Sequence, residues 1–516
     1  MKRTKRVRFV VTMLVFVLIL ALCGGCVIDK PANETEKCDQ SFESASNGCG
    51  ENVQLPSASD PAVLKLVYLG TPQTDEAMIE EAINKYVADL IQAKVDLVPI
   101  DWGAWDNKIN LMVASREQVD VLFTAQWSKY SFNASKGAFI AVDDLLDQYG
   151  QRILDELDPL FLRGAKINGK NYGIPTNKEL AAQGGIIYRA DIARELGIDM
   201  SKVKSLYDLD AVYEQVLKHY PNMIPLYMKY GETLNSHYMG NYDALGDTSI
   251  PGIILKDGDS TAIVPNYEME RYLENLHIAR DYYVKGYINK DAATTQMMVM
   301  DALKTNEVFS IVSSLKPGKS NEIEMESGMV GKLAQIELNA KTIATSETAG
   351  SMLAISSTSR DPQRAMMLIN LLHTDKYLNN LINFGIEGIH YEKIADNRIR
   401  ATEQSERYNP GSSWMLGNQY LNYLWESEDA NKWEQFKLFN EGAVVSPGLG
   451  FVFDGEIVRS EVAAVVNIDR QYMTALETGS VDPDKILPEY IDRLEAAGID
   501  RIIEEKQKQF DKFLAN

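Results

Sequence analysis

Several kinds of chemistry leave no trace in this chain. Its five histidines, at 219, 237, 277, 373 and 390, are scattered without metal-ligand spacing. There is no GxSxG elbow, no HExxH helix and no GxxxxGKS/T phosphate loop, so the signatures of serine hydrolases, zinc peptidases and P-loop nucleotidases are missing. Asp257-Gly258-Asp259 lacks the further oxygen ligands and the closing Glu of a calcium loop, and reads as a turn. No resident metal or cofactor is expected. A carboxylate pair for glycoside hydrolysis stays open, because such a pair is defined by separation in space. The four cysteines, Cys23, Cys26, Cys38 and Cys49, all fall near the start, and no CxxC is followed by a second pair downstream. Positive charge is in deficit: 52 Lys and Arg face 73 Asp and Glu, a net charge of −21. A phosphate backbone would be repelled, so nucleic acid is excluded as a partner.

Long apolar runs are also absent after the first 25 residues. At the start, Lys2, Arg3, Lys5, Arg6 and Arg8 precede the apolar run Phe9 to Leu22, which ends in Cys23-Gly24-Gly25-Cys26. A spanning helix wants about 20 apolar residues, so this run suits a cleaved secretory leader, residues 1–25. Its ending resembles a bacterial lipobox, with Cys26 as the residue linked to diacylglycerol. Cys23 departs from the pattern, standing where Leu is commonest, and as acceptor it would place bulky Leu22 beside the cut. Ordinary secretion with cleavage near Gly25 is the alternative. Either way the folded part lies outside the cytoplasm, with a mature charge of −26 once the five basic leader residues are gone. Residues 26–60 are rich in Asn, Glu, Ser, Gly and Pro and read as a flexible tether, in which Cys38 and Cys49 are free to pair across ten intervening residues.

The folded body opens on alternation. Val63 to Tyr68 reads as a strand. Met78, Ile79, Ala82, Ile83, Tyr86, Val87, Leu90 and Ile91 recur at helical spacing after it. Val95 to Ile100, Ala104 to Ser115 and Val119 to Phe123 continue as strand, helix and strand, which implies a parallel α/β sheet. Ligands of such sheets collect at the carboxyl ends of the strands. Those ends carry Gly70 to Gln73, then Asp101-Trp102-Gly103-Ala104-Trp105, then Thr124-Ala125-Gln126-Trp127. Three of the six tryptophans thus sit at two neighbouring exits. Indole faces with nearby amides and carboxylates suit sugar rings, which stack through C–H faces and need directed hydrogen bonds to their hydroxyls. Trp102 or Trp105 taken alone fits equally well as cover over the edge of the core.

Taken in order, YLGTPQTD at 68–75, DWGAWDNKIN at 101–110, DVLFTAQW at 120–127, GAFIAVDDLL at 137–146 and YGIPTNKE at 172–179 resemble the extracellular solute-binding proteins of the maltose-binding type. NFGIEGIHYE at 383–392, WMLGNQYLNYLW at 414–425 and the carboxy-terminal AAGIDRIIEEKQKQFDKF point more closely to a Gram-positive lipoprotein subgroup with an extended carboxy-terminal domain. The resemblance implies a type II, periplasmic-binding-protein-like α/β fold of two lobes with a hinge. One lobe would hold residues 61–176 and about 308–357. The other would hold 177–307 and about 358–516, with a helical extension. The first crossover is expected at Gly173 to Glu179, which makes Asn177, Lys178 and Glu179 candidates at the hinge, with a solvated turn as the rival reading.

Further ligand candidates are Gln73 and Gln126 at the strand exits, and Glu387 and His390 in a glycine-flanked loop. Trp414, Asn418 and Gln419 share a face if residues 414–425 form a helix, although that face serves equally as a buried side. The resemblance implies no catalysis. It points to a monomeric, lipid-anchored protein of the outer membrane face that captures a sugar, most simply an oligosaccharide, closes over it and delivers it to ABC permease subunits. A peptide or other polar solute, a surface glycosidase or lyase, and a wall-associated adhesion protein are the competing readings.

Overall fold

The computed structural model describes residues 62–515. The leader, Cys26 and the tether with Cys38 and Cys49 lie outside the described residues. The strand Ala62–Leu69 ends on four consecutive buried residues. A strand so uniformly apolar needs cover on both faces, as in the middle of a parallel sheet. It pairs in parallel with Ala93–Ile100 and with Val121–Thr124, and Leu66 lies opposite both Leu97 and Val121. Met352–Ile355 then runs antiparallel beside Val121–Thr124, and Ile174–Pro175 closes the edge. The helix Glu76–Ile91 packs through Ile79, Ile83, Val87 and Ile91, one residue per turn. Met78 and Leu90, which the periodicity includes, are exposed.

A second sheet has the order Leu333–Glu337, Gln183–Arg189, Val308–Leu315 and Ile224–Tyr227. This corrects the expected return to the first lobe at Val308. Val308–Leu315 is central here, antiparallel to Gln183–Arg189 and parallel to Ile224–Tyr227, so its apolar residues are covered from both sides. Leu333–Glu337 also pairs with Gln183–Arg189. The approach is tight, because a side chain on Gly185 would meet the Ile336 carbonyl at 2.1 Å. The chain re-enters the first sheet only at Met352–Ile355.

A second correction concerns residues after 362. The helices Pro362–Thr374 and Lys376–Phe384 were expected on the second lobe. They bury Ala365, Met366, Leu368, Leu372, Leu378 and Leu381 in the core of the first sheet instead. Having rejoined that sheet at residue 352, the chain covers it with the next apolar helices it makes. The carboxy-terminal helices pack elsewhere. Phe451, Val465, Leu476, Leu494, Ile502 and Phe510 form a separate core with Leu245, Ile254, Tyr272 and Leu276. The helix Glu270–Val284 bridges the two, since Ile278, Ala279 and Tyr282 lie in the core of the second sheet.

Ile174–Pro175 still belongs to the first sheet, so the first crossing falls a few residues later than Gly173 to Glu179 suggests. Ala182 and Thr342 exchange both backbone hydrogen bonds at 2.9 Å, and Thr342–Ile343 pairs in parallel with Val444–Val445. Three connecting segments therefore run side by side between the lobes.

Residues 414–425 do not form the expected α-helix. They make turns and a short 3-10 segment at Gln419–Leu421. The break is at Gly417, whose φ of +76° is left-handed and whose added Cβ would lie 2.0 Å from the Leu372 carbonyl. Gly417→Ala should therefore lose at least about 2 kcal/mol of stability in urea unfolding, from left-handed strain and overpacking combined. A loss below about 0.5 kcal/mol would mean that this backbone has room to adjust.

Candidate functional site

The exits of the three parallel strands and the amino end of Met352–Ile355 share one edge of the first sheet, the edge from which the connecting segments leave. Three tryptophans meet there. Trp102 lies nearly parallel to Trp127 (centroids 6.0 Å, planes 15° apart) and to Trp414 (6.2 Å, 23°). Trp127 and Trp414 are 6.5 Å apart. Buried Phe123, the penultimate residue of its strand, supports the group from below, edge-on to Trp414 at 5.6 Å and tilted against Trp127 at 5.9 Å. The Trp127 indole N–H donates to the Gly350 carbonyl at 2.8 Å, fixing its ring. Trp102 remains 56% exposed and Trp127 46%. So much open indole surface on a supported platform is unusual in a settled core and suits a ligand with apolar faces.

Trp105 lies apart from this platform. As the first residue of the helix Trp105–Ser115 it turns inward, is 3% exposed and donates its indole N–H to Ser128 Oγ at 2.8 Å. Gln126 is also buried, its Oε1 accepting from Ser131. Gln73 stitches its turn to a later loop, donating to the Thr71 carbonyl and accepting from the Asn409 N–H. His390 is buried. Its Nδ1 accepts from the Ile386 N–H at 3.0 Å and its Nε2 lies 3.3 Å from Asp75. Asp75 also binds Arg407, and that guanidinium first, then His390, holds its carboxyl below the usual range. Glu387 is exposed and paired with Lys393 at 2.8 Å.

Asn177, Asn418 and Gln419 come together behind Trp414. The Asn177 N–H donates to the Gly417 carbonyl, and the Gln419 N–H donates to the Asn177 carbonyl. The Asn418 amide donates to Glu156 and to the His373 carbonyl, while Gln419 Oε1 is buried without a partner among the described residues. Their role is to pin residues 414–419 against the edge of the first sheet.

Glu179 starts a buried ladder of charge beside the connecting segments. It binds Lys178 at 2.8 Å and Lys316 at 3.5 Å, and Lys316 continues to Glu322 at 3.2 Å. Glu322 meets Lys432 at 3.2 Å, and Lys432 meets Glu428 at 2.7 Å. Burial pushes the Glu179 carboxyl up, but Lys178 and Lys316 outweigh it and hold the group below its ordinary range. The same competition raises Lys316, where Glu179 and Glu322 overcome desolvation.

Sequence reasoning does not find the facing corner of the second lobe. Gln183 pairs with Leu315 next to the connecting residue Ala182, so Ser314 lies at the lobe-facing end of the second sheet. His237 Nδ1 is 3.1 Å from Ser314 Oγ, and its Nε2 contacts Glu232. His237 and Tyr238 have consecutive left-handed backbones, φ 49° and 63°. For bulky residues this is strain of about 1–3 kcal/mol each, the sort that persists where surroundings over-determine it. Here the Lys256 ammonium sits 4.5 Å from the Tyr238 ring, and the Asn339 amide donates to the Tyr238 carbonyl. Lys256 is itself paired with buried Glu347 at 2.8 Å, close to the second connecting segment. The only sequence signal was His237 itself, one scattered histidine among five.

Two lobes, each presenting functional groups at the edge where three chain segments join them, define a ligand-binding protein of the two-lobed kind. Residues 71–377, more than half of the chain, match the family described as bacterial extracellular solute-binding proteins, and residues 447–515 match a domain of unknown function. The chain belongs to the first family, of the maltose-binding type. A carbohydrate ABC transporter substrate-binding protein of Streptococcus pneumoniae serotype 4 is 29% identical over 91% of this chain and 94% of its own length. The crystal structure of an N-glycan transport solute-binding protein, NgtS, from Streptococcus pneumoniae superposes with a TM-score of 0.81 at 28% identity, over 88% of this chain and 99% of that one. In complex with Man1GlcNAc the values are 0.78 and 27%, over 88% and 100%. With Man5GlcNAc they are 0.76 and 28%, over 88% and 99%.

Proposed function

We propose that this protein captures an oligosaccharide outside the cell, of the mannose and N-acetylglucosamine kind found in N-glycan fragments, and hands it to an ABC permease without transforming it. The observation that carries the reading is the open platform of Trp102, Trp127 and Trp414, on which pyranose faces would stack. Support for the ligand class comes from the relative in carbohydrate transport and from the related structures holding Man1GlcNAc and Man5GlcNAc. His237 and Tyr238 of the second lobe would supply the opposing contacts, polar and aromatic. Closure then follows from energetics, because a ligand touching both lobes binds the closed form more tightly and shifts the population toward it. The monomer would be held at the membrane through lipid on Cys26, a reading that rests on the basic start, the short apolar run and Gly24-Gly25 before the cysteine.

A thermal-shift screen with Man1GlcNAc and Man5GlcNAc tests the reading. At about a hundred times the dissociation constant, a true ligand should add about 2.7 kcal/mol of stability. The radius of gyration in solution scattering should fall at constant monomer mass. Stabilisation by peptides and by no glycan would sink the carbohydrate assignment, and release of shorter sugars from a labelled glycan would replace capture by hydrolysis.

A further inference from the structure

The carboxy-terminal helices, which coincide with the domain of unknown function, pack on the helix Glu270–Val284 and also on the back of residues 232–257, the long irregular connection that carries His237 and Tyr238. This connection has little regular structure of its own beyond the two-residue pair Tyr242–Asp243 and Ile254–Leu255. Two ionisable side chains from the carboxy-terminal helices hold it at either end. Glu477, the last residue of the helix Arg459–Glu477, accepts from the Thr233 hydroxyl at 3.0 Å and from the Tyr272 hydroxyl at 2.9 Å. Thr233 is adjacent to Glu232, the partner of His237. At the other end Lys506, wholly buried on the helix Ile499–Leu514, gathers the carbonyls of Ala244 (2.7 Å), Gly252 (2.8 Å), Pro251 (3.2 Å) and Ile250 (3.4 Å). The Phe453 N–H adds a backbone bond to the Leu245 carbonyl at 2.9 Å.

Both contacts have a cost that packing alone would not incur. An acid at a helix carboxyl end opposes the helix dipole. A buried ammonium surrounded by backbone carbonyls needs every one of them to offset its lost hydration. Apolar residues would have served a merely structural bundle at both positions. What these two side chains achieve is directional, fixing a main-chain path in a segment that carries four left-handed non-glycine residues, His237, Tyr238, Asn241 and Leu245.

We infer that the carboxy-terminal helical unit is a positioning element for the ligand-facing corner of the second lobe, with Glu477 and Lys506 as its positioning residues. Neither touches ligand. They set where His237 and Tyr238 stand, so the unit governs affinity and selectivity from behind the site. The link to ligand rests on the carbohydrate-capture reading above, whereas the link to the corner does not.

The experiment has two arms on the full mature chain. In the first, without ligand, amide hydrogen exchange is followed in wild type, Glu477→Ala, Glu477→Gln and Lys506→Met at a temperature where all are folded. Exchange across 232–245 should rise at least tenfold in Glu477→Ala and Lys506→Met and stay unchanged across 121–130 of the first lobe. Glu477→Gln keeps a side-chain acceptor and should remain close to wild type. In the second arm, calorimetry with Man1GlcNAc should show at least a tenfold weaker affinity in the two disruptive variants and near-wild-type affinity in Glu477→Gln. Unchanged exchange at 232–245 in folded Glu477→Ala and Lys506→Met overturns the inference. So does raised exchange with unaltered affinity. If wild type itself does not bind the glycan, the functional reading fails while the first arm still decides whether the corner is positioned from behind. A variant that does not fold is replaced by Thr233→Val, which removes the hydroxyl from the other side of the same contact and must raise exchange in the same window.

Discussion

Lys316→Met should lower the unfolding free energy at neutral pH by about 3 kcal/mol, the low end of the ~3–5 kcal/mol that follows removal of one partner from a buried ion pair. The low end applies because Glu179 keeps Lys178, and Glu322 keeps Lys319 and Lys432. The effect should depend on pH with a definite sign. In the native protein the Glu179 carboxyl is held below its unfolded value, so its stabilisation is complete above about pH 4.3 and is lost as pH falls through the folded value. Without Lys316 the carboxyl loses one of the two cations that hold it down and moves up, so the folded variant takes its proton earlier. The gap in thermal midpoint between the two proteins should thus be widest near pH 7 and shrink toward pH 3. A gap that is constant with pH would show that Lys316 acts through packing against Phe436, whose ring centroid lies 5.2 Å from its ammonium.

Removing both exposed rings of the platform, Trp102→Ala with Trp127→Ala, should weaken glycan binding on the order of a hundredfold. Each stacked aromatic contributes about 0.5–1.5 kcal/mol beyond the area it buries, and the pair with its lost area amounts to about 3 kcal/mol. The stability loss should be smaller than for a core tryptophan, since each ring is about half exposed, with Trp127 giving up its bond to the Gly350 carbonyl. Trp105→Ala supplies the contrast. Its ring is in the core, so it should cost about 3–5 kcal/mol of stability while the folded fraction keeps its affinity. Calorimetry and urea unfolding on the same samples separate the two outcomes. Wild-type affinity in the double variant would remove the platform from the binding site.

Trp102 and Trp105 show what was legible and what was not. Both follow the same strand and carry the same side chain, and the sequence places them together. Only the start of a helix at Trp105 turns one ring inward and leaves the other out. Strand–helix alternation up to residue 124 was readable because each element has its own apolar period and its partners are close in sequence. The place of Val308–Leu315 was not, because a uniformly apolar strand says that it is central without saying in which sheet. Trp414 reaches Trp127 across nearly three hundred residues, and its approach depends on a left-handed glycine rather than on the helix that its neighbours suggest. The Glu179–Lys316 pair and the His237 corner likewise join positions that share no local pattern. His390 was noticed for its chemistry, but burial against Asp75 gives it structural work.

The three connecting segments carry a mechanical implication. A single backbone thread between two bodies leaves them free to bend, twist and slide. Here Ala182 is bonded to Thr342, and Thr342–Ile343 is laddered to Val444–Val445, so the threads form a narrow ribbon. A ribbon behaves like a leaf spring: it flexes across its thin dimension and resists torsion and shear in its own plane. Under the proposed closure, such a ribbon would favour bending of one lobe toward the other over twist and shear. A partner that recognises surfaces on both lobes at once would then meet one reproducible geometry, and the ribbon would convert occupancy of the cleft into a shape that can be read from outside.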